Sequence, residues 1–247
     1  MNKNINNKND CIVLLKFCKE KQYAKDIFDG RLYGNTIEFY KKLEDNYNND
    51  IQGDSDEVTY KEKTENLHLL NEKTALKTKI TKEYRYTDDD KIPVVCFMGF
   101  KIEELKYEDG HYSFPFNDNE INLFKKEFGE YCVMCYKEDI DVLLKEYCTN
   151  RFETKYDYNF KKITYMDMSS QEYKEIFESG TSERFFYKNT KYSYQHEYRI
   201  VIGMDILNSE SRYIEIGNIK SALRFNADKL KELKFILKEL KFILLDD

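Results

Sequence analysis

Lys188-Asn-Thr-Lys-Tyr-Ser-Tyr-Gln-His-Glu-Tyr-Arg-Ile-Val-Ile202 is the stretch on which the reading of this chain turns. A strand points successive side chains to opposite faces. On that period Tyr192, Tyr194, His196, Tyr198, Ile200 and Ile202 share one face, while Ser193, Gln195, Glu197, Arg199 and Val201 share the other. The first face is suited to packing. The second sets an amide, a carboxylate and a guanidinium in a row, with neighbours about 6.5–7 Å apart along the strand. Two readings follow from the pattern alone. The row serves one small ligand, or it is the solvated face of an antiparallel strand on which Glu197 and Arg199 make an exposed pair worth well under about 1 kcal/mol.

Outward from this stretch, short apolar runs of strand length occupy 11–17, 92–100, 131–136, 162–166 and 212–216. Helical spacing marks 20–28, closed by Gly30 as a C-cap, and also 36–43, 138–148 and 171–178. Residues 46–59 read as an acidic turn-rich loop; its spacing does not match the twelve-residue EF-hand pattern. Residues 61–90 are charged with little apolar periodicity, which suggests a mobile excursion from the core. At 226–245, Leu230, Leu233, Leu237, Leu240 and Leu244 alternate by three and four, and Glu-Leu-Lys-Phe-Ile-Leu occurs twice, seven residues apart. That predicts an amphipathic C-terminal helix. Its wide apolar stripe leaves two uses open, docking on the chain's own sheet or a homodimer through those five leucines.

The 247 residues are expected to form one domain. Hydrophobic residues make up 41%, with 21 Tyr, 17 Phe and no Trp, so the core must draw heavily on aromatics. The expected fold class is α+β, a mixed or mostly antiparallel sheet flanked by helices and closed by the C-terminal helix. Net charge is −6, from 40 basic and 46 acidic residues mixed along the chain. The absence of a basic patch weighs against a protein that binds nucleic acid by neutralising phosphates.

The six cysteines are Cys11, Cys18, Cys96, Cys132, Cys135 and Cys148. With no apolar run long enough for a membrane span and a polar, Asn-rich start, a reduced cytoplasmic protein is expected. Cys132 and Cys135 have the spacing of half a zinc site, but the pair lies in an apolar run without a second pair. They are expected to be core thiols, and no metal is expected.

Leu14-Leu-Lys-Phe17, Asp29-Gly-Arg-Leu-Tyr33, Gly53-Asp-Ser-Asp-Glu57, Cys96-Phe97, Phe186-Tyr-Lys188 and Tyr192-Ser-Tyr-Gln-His-Glu-Tyr-Arg199 follow one another in an order that resembles a family of bacterial proteins of unknown function found in mobile and defence-related gene neighbourhoods. More distantly, Leu15-Lys-Phe-Cys18, the helix ending at Gly30 and Gln195-His-Glu-Tyr-Arg-Ile-Val201 resemble the ADP-ribosyltransferase superfamily. That resemblance implies an NAD-using protein of bacterial defence or toxin type that modifies a macromolecular target. It implies Glu197 as the catalytic carboxylate, stabilising the oxocarbenium-like centre formed as nicotinamide leaves. Gln195 would orient ribose or acceptor, Tyr40 would stack on nicotinamide, and Lys16, Tyr192 and Arg199 would line the NAD pocket. Lys16 stands where those enzymes carry His or Arg, and lacks the planar fork of Arg. A second reading is a non-enzymatic nucleotide- or protein-binding sensor in phage–host conflict, built on Gln195, Glu197 and Arg199. A third is a Mg²⁺ nuclease drawing on Asp54, Glu57, Glu197 and Lys188.

Overall fold

The structure is a computed structural model of the chain, and it describes residues 11–47, 51–71, 74–151, 158–202, 212–238 and 241–244. In chain order the elements are strand β1 (Ile12–Cys18), helix α1 (Lys21–Phe28), β2 (Arg31–Thr36), α2 (Ile37–Tyr47), β3 (Tyr60–Asn71) and β4 (Thr74–Tyr84). There follow β5 (Pro93–Lys101), β6 (Lys106–Glu108), β7 (His111–Ser113), α3 (Asp118–Phe128), β8 (Tyr131–Tyr136) and α4 (Lys137–Arg151). The remainder holds β9 (Tyr158–Lys162), β10 (Thr164–Met166), α5 (Gln171–Glu178), β11 (Tyr187–Asn189), β12 (Glu197–Ile202), β13 (Arg212–Glu215), β14 (Leu223–Asn226), β15 (Phe235–Lys238) and β16 (Lys241–Leu244). The class is α+β, as expected. No helix among the described residues is long and apolar enough to cross a membrane.

Where the sequence suggested one domain, the chain forms two compact units. The first comprises residues 1–35, 93–162 and 195–247; the second comprises 36–92 and 163–194. The chain therefore passes between them four times.

The first unit is built on an eight-stranded sheet ordered β13-β2-β5-β1-β8-β14, with β12 on β5 and β9 on β12. The pairings of β1 with β5 and β8, and of β12 with β5 and β9, are antiparallel. One layer of core gathers Leu14, Val95, Phe97, Val133, Tyr198 and Ile200 from these strands with Ala24 and Ile27 of α1 and Ile140 and Leu144 of α4. Close approach requires glycine at three positions, Gly30, Gly99 and Gly129, the last with a built Cβ 2.2 Å from the Cys18 backbone. Gly30 ends α1 with φ +80°, and a Cβ built there would lie 1.7 Å from the Gly217 carbonyl oxygen. A Cβ on Gly99 would lie 2.3 Å from the Tyr198 ring. Helix α3 opens with a capping box in which the Asn117 side chain accepts from Glu120 N and the Glu120 carboxylate accepts from Asn117 N.

The second unit joins α2, the β3–β4 hairpin, α5 and the short parallel pair β10–β11. Its apolar cluster is Tyr60, Met168, Tyr173 and Phe177. Ser170 caps α5 by accepting from Tyr173 N at 3.1 Å. Arg184 makes two 2.6 Å bonds to the Asp89 carboxylate, and both residues are buried.

Three expectations are corrected. The opening stretch is not one strand: residues 187–189 form β11, residues 190–195 coil as a 3₁₀ turn, and β12 begins only at Glu197, after His196 with its left-handed φ of 44°. Tyr192 and Tyr194 therefore never join the alternation of β12. The excursion at 61–90 is instead mostly a hairpin of two long strands, whose register sets Lys61 opposite Glu83 and Glu62 opposite Lys82. Among the described residues of 226–245 no α-helix forms. Residues 227–231 make a 3₁₀ turn, then β15 and β16 pair antiparallel with Ile236 opposite Ile243 and Leu237 opposite Phe242. Of the five leucines assigned to a dimer helix, Leu230 and Leu233 are buried in the chain itself, Leu237 and Leu244 lie in the hairpin, and Leu240 falls outside the described residues.

Candidate functional site

Strand β5 sets the geometry of the candidate site. Met98 pairs with Leu15 of β1 on one edge and with Glu197 of β12 on the other. Paired residues in an antiparallel ladder share a face, so Leu15, Met98 and Glu197 form one row, with Cys96 and Arg199 paired in the next. The β1–β5 pairing stops at Leu15, and β2 joins β5 further along, where Gly34 packs on Pro93 and Val94. Since β12 covers residues 94–98 on the other edge, β1 and β2 must share one edge and leave a fork between them.

At this fork Lys16 substitutes for strand backbone. It lies on the opposite face of β1 from Leu15, yet its Nζ donates to the Cys96 carbonyl oxygen at 2.6 Å and sits 5.9 Å from the Phe97 ring centroid. A small cleft of ≈ 80 Å³ opens here, lined by Lys16, Gln195 and Glu197 as polar groups over a wall of Leu15, Phe17, Phe97, Met98 and Phe128, with Cys96 beside them. Ligand sites commonly combine such an apolar wall with a few convergent polar groups, although most are larger.

The polar row that runs from Gln195, at the end of the 3₁₀ turn, into β12 is not solvated. Gln195, Glu197 and Arg199 are 8%, 5% and 1% exposed, which overturns the reading of Glu197 and Arg199 as a surface pair. Arg199 donates from Nε to Glu197 Oε1 at 2.9 Å, and its Nη2 lies 2.8 Å from the same oxygen. A buried carboxylate requires such compensation, because an uncompensated charge out of water costs several kcal/mol. Between the two site residues, His196 packs 4.9 Å from the Phe100 ring. Its pKa is lowered, chiefly by burial.

The expected site residues thus divide. Lys16, Gln195 and Glu197 meet at the cleft, and Arg199 stands behind Glu197 as its partner rather than in the lining. Tyr40 and Tyr192 belong to the second unit. The Tyr40 carbonyl accepts from Asp54 N at 3.2 Å. Tyr192 is nearly fully buried, with its hydroxyl 3.4 Å from a Glu44 carboxylate oxygen, so its ring is engaged in that unit's interior. Phe128, at the end of α3, was missed; it carried no signal beyond the apolar spacing of its helix.

Cys132 and Cys135 occupy opposite faces of β8, since they stand three positions apart on a two-residue period. They cannot share a metal ion. Both are completely buried, and burial pushes their thiol pKa values up.

No family model, no curated protein and no solved structure matches this chain. What the site does must be argued from its own chemistry.

Proposed function

We propose that the first unit binds the nicotinamide end of NAD in the Glu197 cleft and acts as an ADP-ribosyltransferase-like protein of defence or toxin type on a macromolecular acceptor. One observation carries the reading. Lys16 from the first strand, Gln195 from the 3₁₀ turn before β12 and Glu197 from the start of β12, about 180 residues later, line the same cleft, and these are positions that the resemblance to that superfamily singles out. Ionised Glu197 is an acceptor-only group, suited to hold the ribose hydroxyls as positive charge develops at the anomeric carbon. In that reaction the C–N bond to nicotinamide breaks, a bond from ribose to the acceptor nucleophile forms, and the acceptor's proton leaves to solvent. The apolar wall of Phe17, Phe97 and Phe128 would hold a flat ring and exclude water, while Gln195 offers an amide to a carboxamide.

The second reading, a non-catalytic binding module, is favoured by a different observation: Arg199 already occupies Oε1 of Glu197. Incubation of the purified protein with labelled NAD and cell extract separates the two. Transfer of label or release of nicotinamide, lost about a hundredfold or more in Glu197→Gln while the circular dichroism spectrum is kept, supports the enzyme. Saturable NAD binding without turnover supports the module. Neither binding nor turnover removes both.

A further inference from the structure

Strand β13 ends the eight-stranded sheet: among the described residues it pairs only with β2. The pairing sets Arg212 against Gly34, Tyr213 against Tyr33, Ile214 against Leu32 and Glu215 against Arg31. Just beyond it, Ile216 N donates to the Gly30 carbonyl at 2.8 Å. In an antiparallel ladder, residues that exchange backbone bonds with the neighbour alternate with residues that do not. Residues 212, 214 and 216 therefore turn their N–H and C=O groups to β2, and Tyr213 and Glu215 turn theirs to the open edge. Native sheets commonly blunt such an edge with lysine, proline or a bulge. The stretch Tyr213-Ile214-Glu215 carries none of these.

The side chains along this edge are as open as its backbone. Tyr213 and Tyr33 are 45% and 44% exposed, with ring centroids 5.0 Å apart. The Arg31 guanidinium lies 4.9 Å from the Tyr213 ring centroid, and its Nε lies 3.5 Å from Glu215 Oε1. Arg31, Tyr33, Tyr213 and Glu215 thus form one face of the two strands. On the other face Ile214 belongs to the apolar layer that holds Leu32 and Ile27. Unpaired backbone beside exposed rings is the kind of surface to which an extended strand adds.

We propose that the strand which fills this edge is β13 of a second copy of the chain, the two first units joining antiparallel about a two-fold axis at Ile214. Such an axis stands perpendicular to the sheet, so each side chain stays on its own face. Tyr213 then lies opposite Glu215 of the second copy, and the outward N–H and C=O groups of these two residues exchange two bonds at each end, four in all. An axis at Tyr213 would make only two bonds through the same residues and set the two Tyr213 rings face to face. Charge also favours the register at Ile214. Each row runs Arg31, Glu215, then Tyr213 and Tyr33 of the second copy, so no two like charges stand opposite each other. Across the axis Ile214 meets its own copy as a non-hydrogen-bonded pair, with Cα atoms about 4.5 Å apart, and the apolar layer continues from one chain into the next.

The test is sedimentation equilibrium of the full-length protein over a range of concentrations. A four-residue pairing makes a small interface, of the class that gives weak complexes, so a dissociation constant on the order of 100 µM is expected. Tyr213→Pro removes an N–H that points to the open edge and leaves the bonds to β2 in place. It should weaken dimerisation at least tenfold while the circular dichroism spectrum is kept. Ile214→Cys sets two thiols across the axis within reach of a disulfide, and mild oxidation should give a dimer joined 214 to 214, identified by mass spectrometry. Glu215→Cys, which faces a tyrosine of the second copy, should not cross-link in this way. A protein that stays monomeric at about 1 mM overturns the proposal and leaves the edge to a strand of another protein. An unchanged dissociation constant in Tyr213→Pro, or cross-linking no greater at 214 than at 215, overturns it as well. Should Tyr213→Pro fail to fold, the two cysteine variants decide.

Discussion

Arg199 and Glu197 stand two residues apart on one face of β12, both nearly sealed from solvent, with the guanidinium reaching Glu197 Oε1 through Nε at 2.9 Å and Nη2 at 2.8 Å. The pair explains how a row of charged side chains can sit in a strand that is covered on both faces. Removing one member strands the other. Arg199→Met should therefore destabilise the first unit by about 3–5 kcal/mol, measured by urea denaturation. Arg199→Met combined with Glu197→Gln should recover part of that loss. Equal stability of the single and double variants would show that the pair does not act as a unit.

Two of the close-packed glycines, Gly30 and Gly99, make a second, purely steric prediction. Gly30→Ala places a methyl group on the Gly217 backbone in a left-handed conformation, and should cost more than the ~1–2 kcal/mol of the backbone alone. Gly99→Ala pushes only on the Tyr198 ring and should cost about 1–3 kcal/mol. Gly110, where a Cβ meets nothing within 4 Å, is the control despite its φ of +83°. Thermal melts of the three variants should rank Gly30→Ala as the least stable.

Asp54 makes stability depend on pH in an unusual direction for a carboxylate. Burial first, then the Glu57 charge, push its pKa up to about 7, well above the ~3.9 of the unfolded chain. Between those values the folded state holds the proton and the unfolded state does not, so stability is lost as pH rises from about 4 to about 7. Asp54→Asn, which mimics the protonated form, should match the wild type near pH 4 and exceed it by a few kcal/mol at pH 8. Denaturant midpoints of the two proteins across that range check this, and parallel curves would contradict it.

Thiol chemistry gives a readout of the cleft. None of the six cysteines is in a disulfide; five are buried, whereas Cys96 is partly exposed and borders the cleft. Alkylation of the native protein under reducing-agent-free conditions should modify Cys96 first, identified by mass spectrometry. Saturating NAD should slow that modification several-fold under the proposed function. Modification that begins at Cys132 or Cys135 would contradict the packing of β8.

Much of the central sheet could be read from the chain because β1, β5 and β8 are short apolar runs that are largely buried. Residues 131–136 form β8 as marked, and the helix read at 171–178 is α5 as it stands. The misreadings have physical causes. The repeat Glu-Leu-Lys-Phe-Ile-Leu fits helical spacing, but Phe-Ile-Leu is also a four-residue strand core once flanking Lys is included, and two copies seven apart fold back with Phe235 opposite Leu244. Periodicity cannot separate these for so short a run. Residues 61–90 lacked apolar rhythm because the signal there was complementary charge across strands, Lys61 with Glu83 at 3.4 Å, which appears only when the partner strand is known. At the site, Gln195, Glu197 and Lys16 were legible as residue types, whereas the reach of Lys16 to the Cys96 carbonyl depends on where β1 parts from β5, a property of register. The burial of Arg199 was hidden for the same reason, since nothing local says that β9 and β5 flank its strand.

The alternation of the chain between its two units has a consequence for biosynthesis. Strand β5 gains its partner β1 early, but β12 leaves the ribosome about 100 residues after β5, and until then one edge of the sheet's middle strand has no neighbour. Synthesis at about 5–20 residues per second leaves that edge open for several seconds or more. The nascent chain is in that interval a candidate for chaperone capture, and a chain truncated just before residue 197 would lack β12, β13 and β14 of the eight-stranded sheet.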